Sequence, residues 1–320
     1  MEHFCTLYDL TFLPQGMALH TSLERHAGEY TLWVLCMDEA VEKALEKLDL
    51  AHVRLLPIRQ LEEIFPSLLA VKSSRAKGEY CWTSTPFLPE AIFRLHPEAS
   101  RVTYLDADTF FFGSPRKILA EFETSQAHAL ITDHFYPEGG VGDFTLTAGR
   151  FNVQFMPFRN TEKGLEILRW WQDRCLEWCY ARFEDGKFGD QKYLDVWPEL
   201  FGKDVHVLRE GTLTLAPWNA AHLWSQDAPR CLFHYHNLRF YQDDEVILFK
   251  NFRLSWTIER VAYKPYLREL RRGLGIRESL GIAITYPPAP RQGRETLRRW
   301  KRWLKRMESW STLRPKFPLL

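Results

Sequence analysis

The chain of 320 residues contains no apolar run of 18, so no helix that spans a membrane is expected from it. Its start shows no charged segment followed by an apolar signal core, and a cytoplasmic or peripheral protein is expected. Glycine is scarce where a phosphate loop would need it: between Asp9 and Gly16 there is only Gly16 itself. That argues against a nucleotidyltransferase, whose first strand ordinarily leads into a glycine-rich loop. The six cysteines (Cys5, Cys36, Cys81, Cys175, Cys179, Cys231) are scattered, three of them in strand-like segments. Cys175 and Cys179 share a helix face, but no further Cys or His stands near them to complete a zinc site. No internal repeat or low-complexity block occurs.

Aromatic residues are plentiful instead, at 14% with twelve Trp, enough to line a cleft as well as a core. The formal charge of +1 hides an asymmetry. Residues 291–316 carry ten Lys or Arg against Glu295 and Glu308, a surplus of about +8 that the rest of the chain offsets. Within that segment Leu297, Trp300, Leu304 and Met307 recur at helical spacing, with Trp303 and Trp310 beside them. A cationic amphipathic helix of this kind suits an anionic membrane surface; a helix packed on its own domain is the plainer alternative. Nucleic acid is not expected, because no recognition module accompanies the charge.

Strand-like and helix-like segments alternate. Strands are expected at His3–Tyr8, Thr31–Met37, Val53–Leu56, Arg101–Leu105, Ala127–Thr132, Phe151–Met156 and Cys231–His236. Helices are expected over Pro14–Ala27, from Asp38 to Leu48, over Trp82–Leu95 and over Glu162–Tyr180. The alternation predicts an α/β fold with a mostly parallel sheet flanked by helices. Pro137–Gly149 reads as an active-site loop and residues 281–293, with three Pro and two Gly, as a linker. Residues 1–250 would form the catalytic unit, and residues 251–320 a helical, basic C-terminal extension.

The most informative segment is Tyr104-Leu105-Asp106-Ala107-Asp108. A buried strand delivers two carboxylates at its C-terminal end, where open α/β sheets bind ligands. Two hard oxygen donors there suit Mn²⁺ or Mg²⁺, and such an ion neutralises a diphosphate. Tyr8 and Asp9 close the first strand, placed to stack on and hydrogen-bond a base; an ordinary strand-end turn is the alternative. His234 and His236 alternate in the late strand and either can complete the metal set. Asp190 reads as a helix cap or as a group facing a sugar, with Gln191 beside it. Lys72, Arg75 and Lys77 supply cations to a phosphate, or else form a solvated helix face. Trp218-Asn219 would line an acceptor or fill a core loop.

In order along the chain these segments resemble the GT-A-fold, metal-dependent glycosyltransferases of the glycogenin and lipopolysaccharide-galactosyltransferase group. Asp9 matches that group's base-binding Asp, Asp106 and Asp108 its Asp-x-Asp motif, and Phe151-Asn152-Val153-Gln154 its Phe-Asn-x-Gly segment with Gln154 in place of Gly. Asp190-Gln191-Lys192-Tyr193-Leu194-Asp195 matches its Asp-Gln-Asp-x-Leu-Asn segment, departing at Lys192 and Asp195. His234-Tyr235-His236-Asn237 matches its late metal-ligand motif and selects His234.

The resemblance covers roughly residues 3–240. It implies a Rossmann-like GT-A sheet and transfer from a nucleoside diphosphate sugar, with UDP favoured, to a glycan or lipid-linked acceptor, with retention. Asp106, Asp108 and His234 would hold Mn²⁺ or Mg²⁺. Tyr8, Asp9, Lys72 and Asn152 would bind the donor, and Asp190 and Gln191 would act at the sugar. The basic tail would place such an enzyme on the inner face of a membrane. A non-catalytic nucleotide- or glycan-binding protein of the same fold is the alternative.

Overall fold

The structure is a computed structural model that describes residues 1–137, 143–225, 227–242, 245–249, 252, 254–282, 286–288 and, for the backbone alone, 297–299. Its strands are β1 (Glu2–Tyr8), β2 (Tyr30–Cys36), β3 (Val53–Pro57), β4 (Arg101–Leu105), β5 (Thr109–Phe111), β6 (Ala129–Asp133), β7 (Phe151–Asn152), β8 (Phe155–Arg159), β9 (Val205–Val207), β10 (Thr214–Leu215), β11 (Leu232–His234), β12 (Arg239–Tyr241), β13 (Glu245–Ile247) and β14 (Leu297–Arg299). The main sheet runs β3-β2-β1-β4-β8-β6-β7, with β9 against β6. It is parallel from β3 through β4 and turns antiparallel at β8.

β2 is buried along its whole length, as a parallel strand covered on both faces must be. Side chains alternate between the two covers. Cys5, Leu7, Trp33, Leu35, Val102 and Tyr104 enter one core, while Phe4, Tyr8, Leu32, Val34 and Leu105 enter the other. Against the first core lies the helix Glu162–Glu177, whose Ile167, Leu168, Trp171 and Cys175 form its buried stripe. Trp171 has no exposed surface, and cutting such a side chain to Ala costs about 3–5 kcal/mol. A smaller sheet, β10-β11-β5, packs through Phe110, Phe233 and Tyr235 onto Tyr263, Tyr266 and Leu267 near the C-terminal helix Lys264–Ser279.

Apart from ends that shift by one or two residues, as where Ala127–Thr132 becomes Ala129–Asp133, expected elements differ in extent where a particular residue interrupts them. Phe151–Met156 is two strands, because Asn152 Oδ1 turns inward to accept the Gln154 amide at 3.2 Å and breaks the run. The helical region before β4 is also two pieces, Lys77–Ser84 and Phe87–Leu95, interrupted at Pro86, which has no backbone N–H to continue the helical hydrogen bonds. Glu162–Tyr180 stops at Glu177, where Trp178 becomes extended. The late strand ends at His234, leaving His236 in a turn.

Within Pro137–Gly149, Thr145–Ala148 is a turn of helix, and residues 138–142 lie outside the described residues. Most of the 281–293 linker lies outside them too. So does the basic tail, except for β14, which is extended and pairs with the edge of β13 where the periodicity predicts a helix.

Candidate active site

β1 and β4 lie side by side, yet β2 and β3 continue away from β1 on the other side. The chain thus reverses its direction of travel across the sheet between β1 and β4, and a crevice at the carboxyl ends of those strands is the expected ligand site. Asp9 follows β1 and Asp106 follows β4, so they flank it.

A tight turn shapes the Asp-x-Asp segment. The Asp106 carbonyl accepts the Thr109 amide at 3.1 Å and the Thr109 hydroxyl at 2.7 Å, which sends the chain back into β5. The Tyr104 hydroxyl donates to Asp106 Oδ1 at 3.1 Å and fixes that carboxylate from the strand below. β5 then pairs antiparallel with β11 in a register that sets His234 opposite Thr109, while the Tyr235 amide donates to the Asp108 carbonyl at 2.8 Å. Register alone therefore brings a histidine more than a hundred residues downstream onto the two carboxylates.

His234 Nε2 stands 3.1 Å from Asp108 Oδ1 and 3.6 Å from Asp106 Oδ2. One donor atom from each of the three lies within 4.8 Å of the others, the only such set among the described residues. Burial together with the neighbouring Asp108 charge pushes the Asp106 carboxyl up to about 6. At Asp108 burial acts in the same direction, but His234 outweighs it and holds the group down at about 2. Burial disfavours the charged imidazole of His234, yet the two carboxylates override that and raise its pKa. Two hard oxygens and an imidazole nitrogen, crowded and short of positive charge, fit a divalent cation such as Mn²⁺ or Mg²⁺.

Asp190 lies beside this set and is 5% exposed. It follows Gly189, whose φ of +53° suits a residue without Cβ, and whose Cα faces the Trp82 ring. Gln191–Val196 is a 3₁₀ helix, and the Asp190 side chain makes no capping hydrogen bond to it, so the capping role that the sequence suggests is not observed. Burial and then the charge of Asp106 push the Asp190 carboxyl up to about 8. Trp171 Nε1 donates to the Asp190 carbonyl at 2.9 Å and holds the backbone in place. Gln191 donates to the Ala148 carbonyl at 2.6 Å, and Lys192 to the Thr145 carbonyl at 2.9 Å, which fastens the 145–148 turn to this segment.

The other expected residues are distributed as follows. Asp9 Oδ1 accepts the Thr11 and Phe12 amides at 2.9 and 3.2 Å, and Oδ2 pairs with Lys77. The Tyr8 ring is buried against Gly16, where an added Cβ would lie 2.3 Å from it, so it faces the helix side of the sheet. Asn152 is buried in a network with Thr132 and Gln154. Lys72 is paired with Glu62 at 2.6 Å, and Arg75 donates to the Leu176 carbonyl. Asn219 bolts its own loop, accepting the Ala216 amide and donating to the carbonyls of His134 and Thr214.

Trp218 is a wall of the site, its ring 5.3 Å from that of His234 and 5.6 Å from that of the exposed His236. Two neighbours have no motif to announce them. His134 is buried and stacks on Tyr136 at 4.5 Å, with Trp218 at its edge. Arg239 is exposed, and its charge acts on both Asp108 and His234. A lone basic residue within the otherwise apolar and aromatic Leu238–Tyr241 was its only signal.

No protein-family model matches the chain. The uncharacterized protein YfnF of Bacillus subtilis (strain 168) is 31% identical over 259 residues, 76% of this chain and 84% of that protein. Among solved structures, an active-site mutant of LgtC with Glu in place of Gln superposes with a TM-score of 0.50 at 15% identity, over 92% of this chain and 99% of that one. The galactosyltransferase LgtC in complex with donor and acceptor sugar analogs covers the same shares, at 14% identity and a TM-score of 0.49. This chain therefore has the GT-A fold and belongs to the family of Bacillus subtilis YfnF.

Proposed function

We propose that the protein is a metal-dependent glycosyltransferase that moves a hexosyl group from a nucleoside diphosphate sugar, UDP-sugar by preference, to a glycan or lipid-linked acceptor. The observation that carries this reading is the convergence of Asp106, Asp108 and His234 beside the β1–β4 crevice. These three residues would hold Mn²⁺ or Mg²⁺, which supplies positive charge to the diphosphate leaving group. Arg239 adds a protein cation on the same side. Asp9 binds the base, and Asn152 stiffens the floor between β7 and β8.

Asp190, buried and electrically close to Asp106, meets the hydroxyls of the transferred sugar, and Gln191 lies next to it along the 3₁₀ turn. The ordered matches at Asp106, Asn152, Asp190 and His234 to the group that the chain resembles support transfer with retention of anomeric configuration. The decisive experiment is metal-dependent hydrolysis or transfer with UDP-, GDP- and dTDP-sugars. Release of sugar that chelator abolishes is expected, and no turnover of any donor with Mn²⁺ or Mg²⁺ would sink the reading.

The surplus of positive charge in residues 291–316 supports peripheral attachment to an anionic membrane, on the cytoplasmic face where nucleotide sugars are consumed. No helix among the described residues is long and apolar enough to cross a membrane. Flotation with anionic liposomes is expected for the full chain and lost without residues 291–320; equal flotation of both would refute the tail's role.

A further inference from the structure

Asp9 and Asp38 follow β1 and β2, adjacent parallel strands in register at Tyr8 and Cys36, so they leave the sheet side by side. Each spends one oxygen on its own chain. Asp9 Oδ1 accepts the Thr11 and Phe12 amides, and Asp38 Oδ1 accepts the Val41 amide at 2.9 Å to cap the helix Glu39–Leu48. The remaining oxygens converge on one ammonium. Lys77 Nζ lies 2.6 Å from Asp9 Oδ2 and 3.1 Å from Asp38 Oδ2. Lys77 opens the helix Lys77–Ser84 and reaches these strand ends with a side chain that is 57% exposed, whereas that of Asp9 is 13% exposed.

An ammonium has three N–H donors, and two are engaged here. A carboxylate oxygen offers two lone pairs, and Lys77 uses one of those on Asp9 Oδ2. What remains is an acceptor and a donor side by side at the end of β1. That is the complement of an N–H flanked by a carbonyl, an edge that uracil shares with guanine and that cytosine and adenine lack.

We propose that Lys77 reads the base of the nucleoside diphosphate, forming with Asp9 the acceptor–donor pair that holds it at the end of β1. The inference rests on the functional reading above and adds to it the residue that sets base preference. It also moves Lys77 away from the phosphates. Its partners follow β1 and β2, whereas the metal set follows β4 and β11, and neighbouring strands are about 5 Å apart. Asp38 is the third member, and its charge orients the ammonium without touching the base.

Calorimetric titration of the full chain in Mn²⁺ with UDP, CDP, GDP, ADP and inorganic diphosphate tests this. Lys77→Met is expected to weaken UDP about tenfold, the scale of one hydrogen bond to a charged group, and to flatten the preference among bases. Diphosphate affinity should stay within about twofold, since the metal set is intact. Lys77→Arg should restore part of the preference, and Lys163→Met, at a lysine that pairs with Glu166 on the helix Glu162–Glu177, should bind all five like the parent.

Removing Lys77 leaves two carboxylates facing each other, so Lys77→Met with Asp38→Asn is the folding control, expected to remain weak for UDP. Unchanged UDP affinity and base preference in Lys77→Met would overturn the proposal, as would an equal loss of UDP and diphosphate. A parent protein that binds diphosphate without any base preference would overturn it alone. A parent that binds neither would bring down the functional reading with it.

Discussion

Two pairs of carboxylates stand at the carboxyl edge of the sheet, and they are neutralised in different ways. Asp9 and Asp38 share a lysine of the chain itself, and with that ammonium in place Asp9 is held below the ordinary carboxylate range in spite of its burial. Asp106 and Asp108 share an imidazole, with the charge of the exposed Arg239 acting on Asp108, and their pKa values are driven apart, to about 6 and about 2. Asp190, close by, is pushed up to about 8 with no cation of its own. The first pair holds a fixed ammonium between its carboxylates, and the donor and acceptor left over suit recognition of a neutral base. The second has Asp190 as a third acidic neighbour and no fixed ammonium between its carboxylates, and it suits an incoming cation, because buried like charges that are incompletely compensated cost several kcal/mol.

The largest effect that would break this contrast is at Asp108. Alanine there removes one of three ligands and is expected to lower metal-dependent turnover by at least about 1,000-fold while circular dichroism and melting stay close to the parent. Turnover within tenfold of the parent would mean that the second pair is not a metal centre.

A smaller effect concerns Asp190. The folded chain holds its proton up to about 8, against about 4 when unfolded, so this group's stabilising contribution is complete below pH 4 and is lost as the pH rises towards 8. Denaturant unfolding in chelator should show the parent losing on the order of 2–4 kcal/mol between pH 5 and 8 that Asp190→Asn does not lose. Parallel pH curves for the two proteins would show that the site does not strain Asp190.

Much of this was legible in the order of residues. The strand before Asp106 is a short apolar, β-branched and aromatic run, a local signal that survives folding, and the alternation of strands and helices specified the sheet. Strand alternation left His234 and His236 equal, and the resemblance to a family motif selected His234; the structure sets it opposite Thr109 through the pairing of β5 with β11. Other features depend on contacts that no local pattern encodes. Lys77 reaches Asp9 and Asp38 only because the helix starting there docks against the strand ends, and from sequence it was indistinguishable from Lys72, which turns to Glu62. Asp190 after glycine has the signature of a cap, but its side chain makes no capping hydrogen bond to the 3₁₀ turn that follows. The break between β7 and β8 comes from an inward-turned Asn152 that reads as one more polar residue in a strand.

The residue after His234 is anchored by a later segment of the chain. Tyr235 stacks on Tyr266 with ring centroids 3.6 Å apart and donates its hydroxyl to the Ala262 carbonyl at 2.6 Å. Helix Lys264–Ser279 in turn leans on the first helix, with Gly273 so near Pro14 that a Cβ would come within 2.9 Å of its Cα. A nascent chain that has emerged only as far as residue 250 therefore carries Asp106, Asp108 and His234 and the β5–β11 pairing between them, but not the Tyr266 ring and Ala262 carbonyl that clamp the residue after His234.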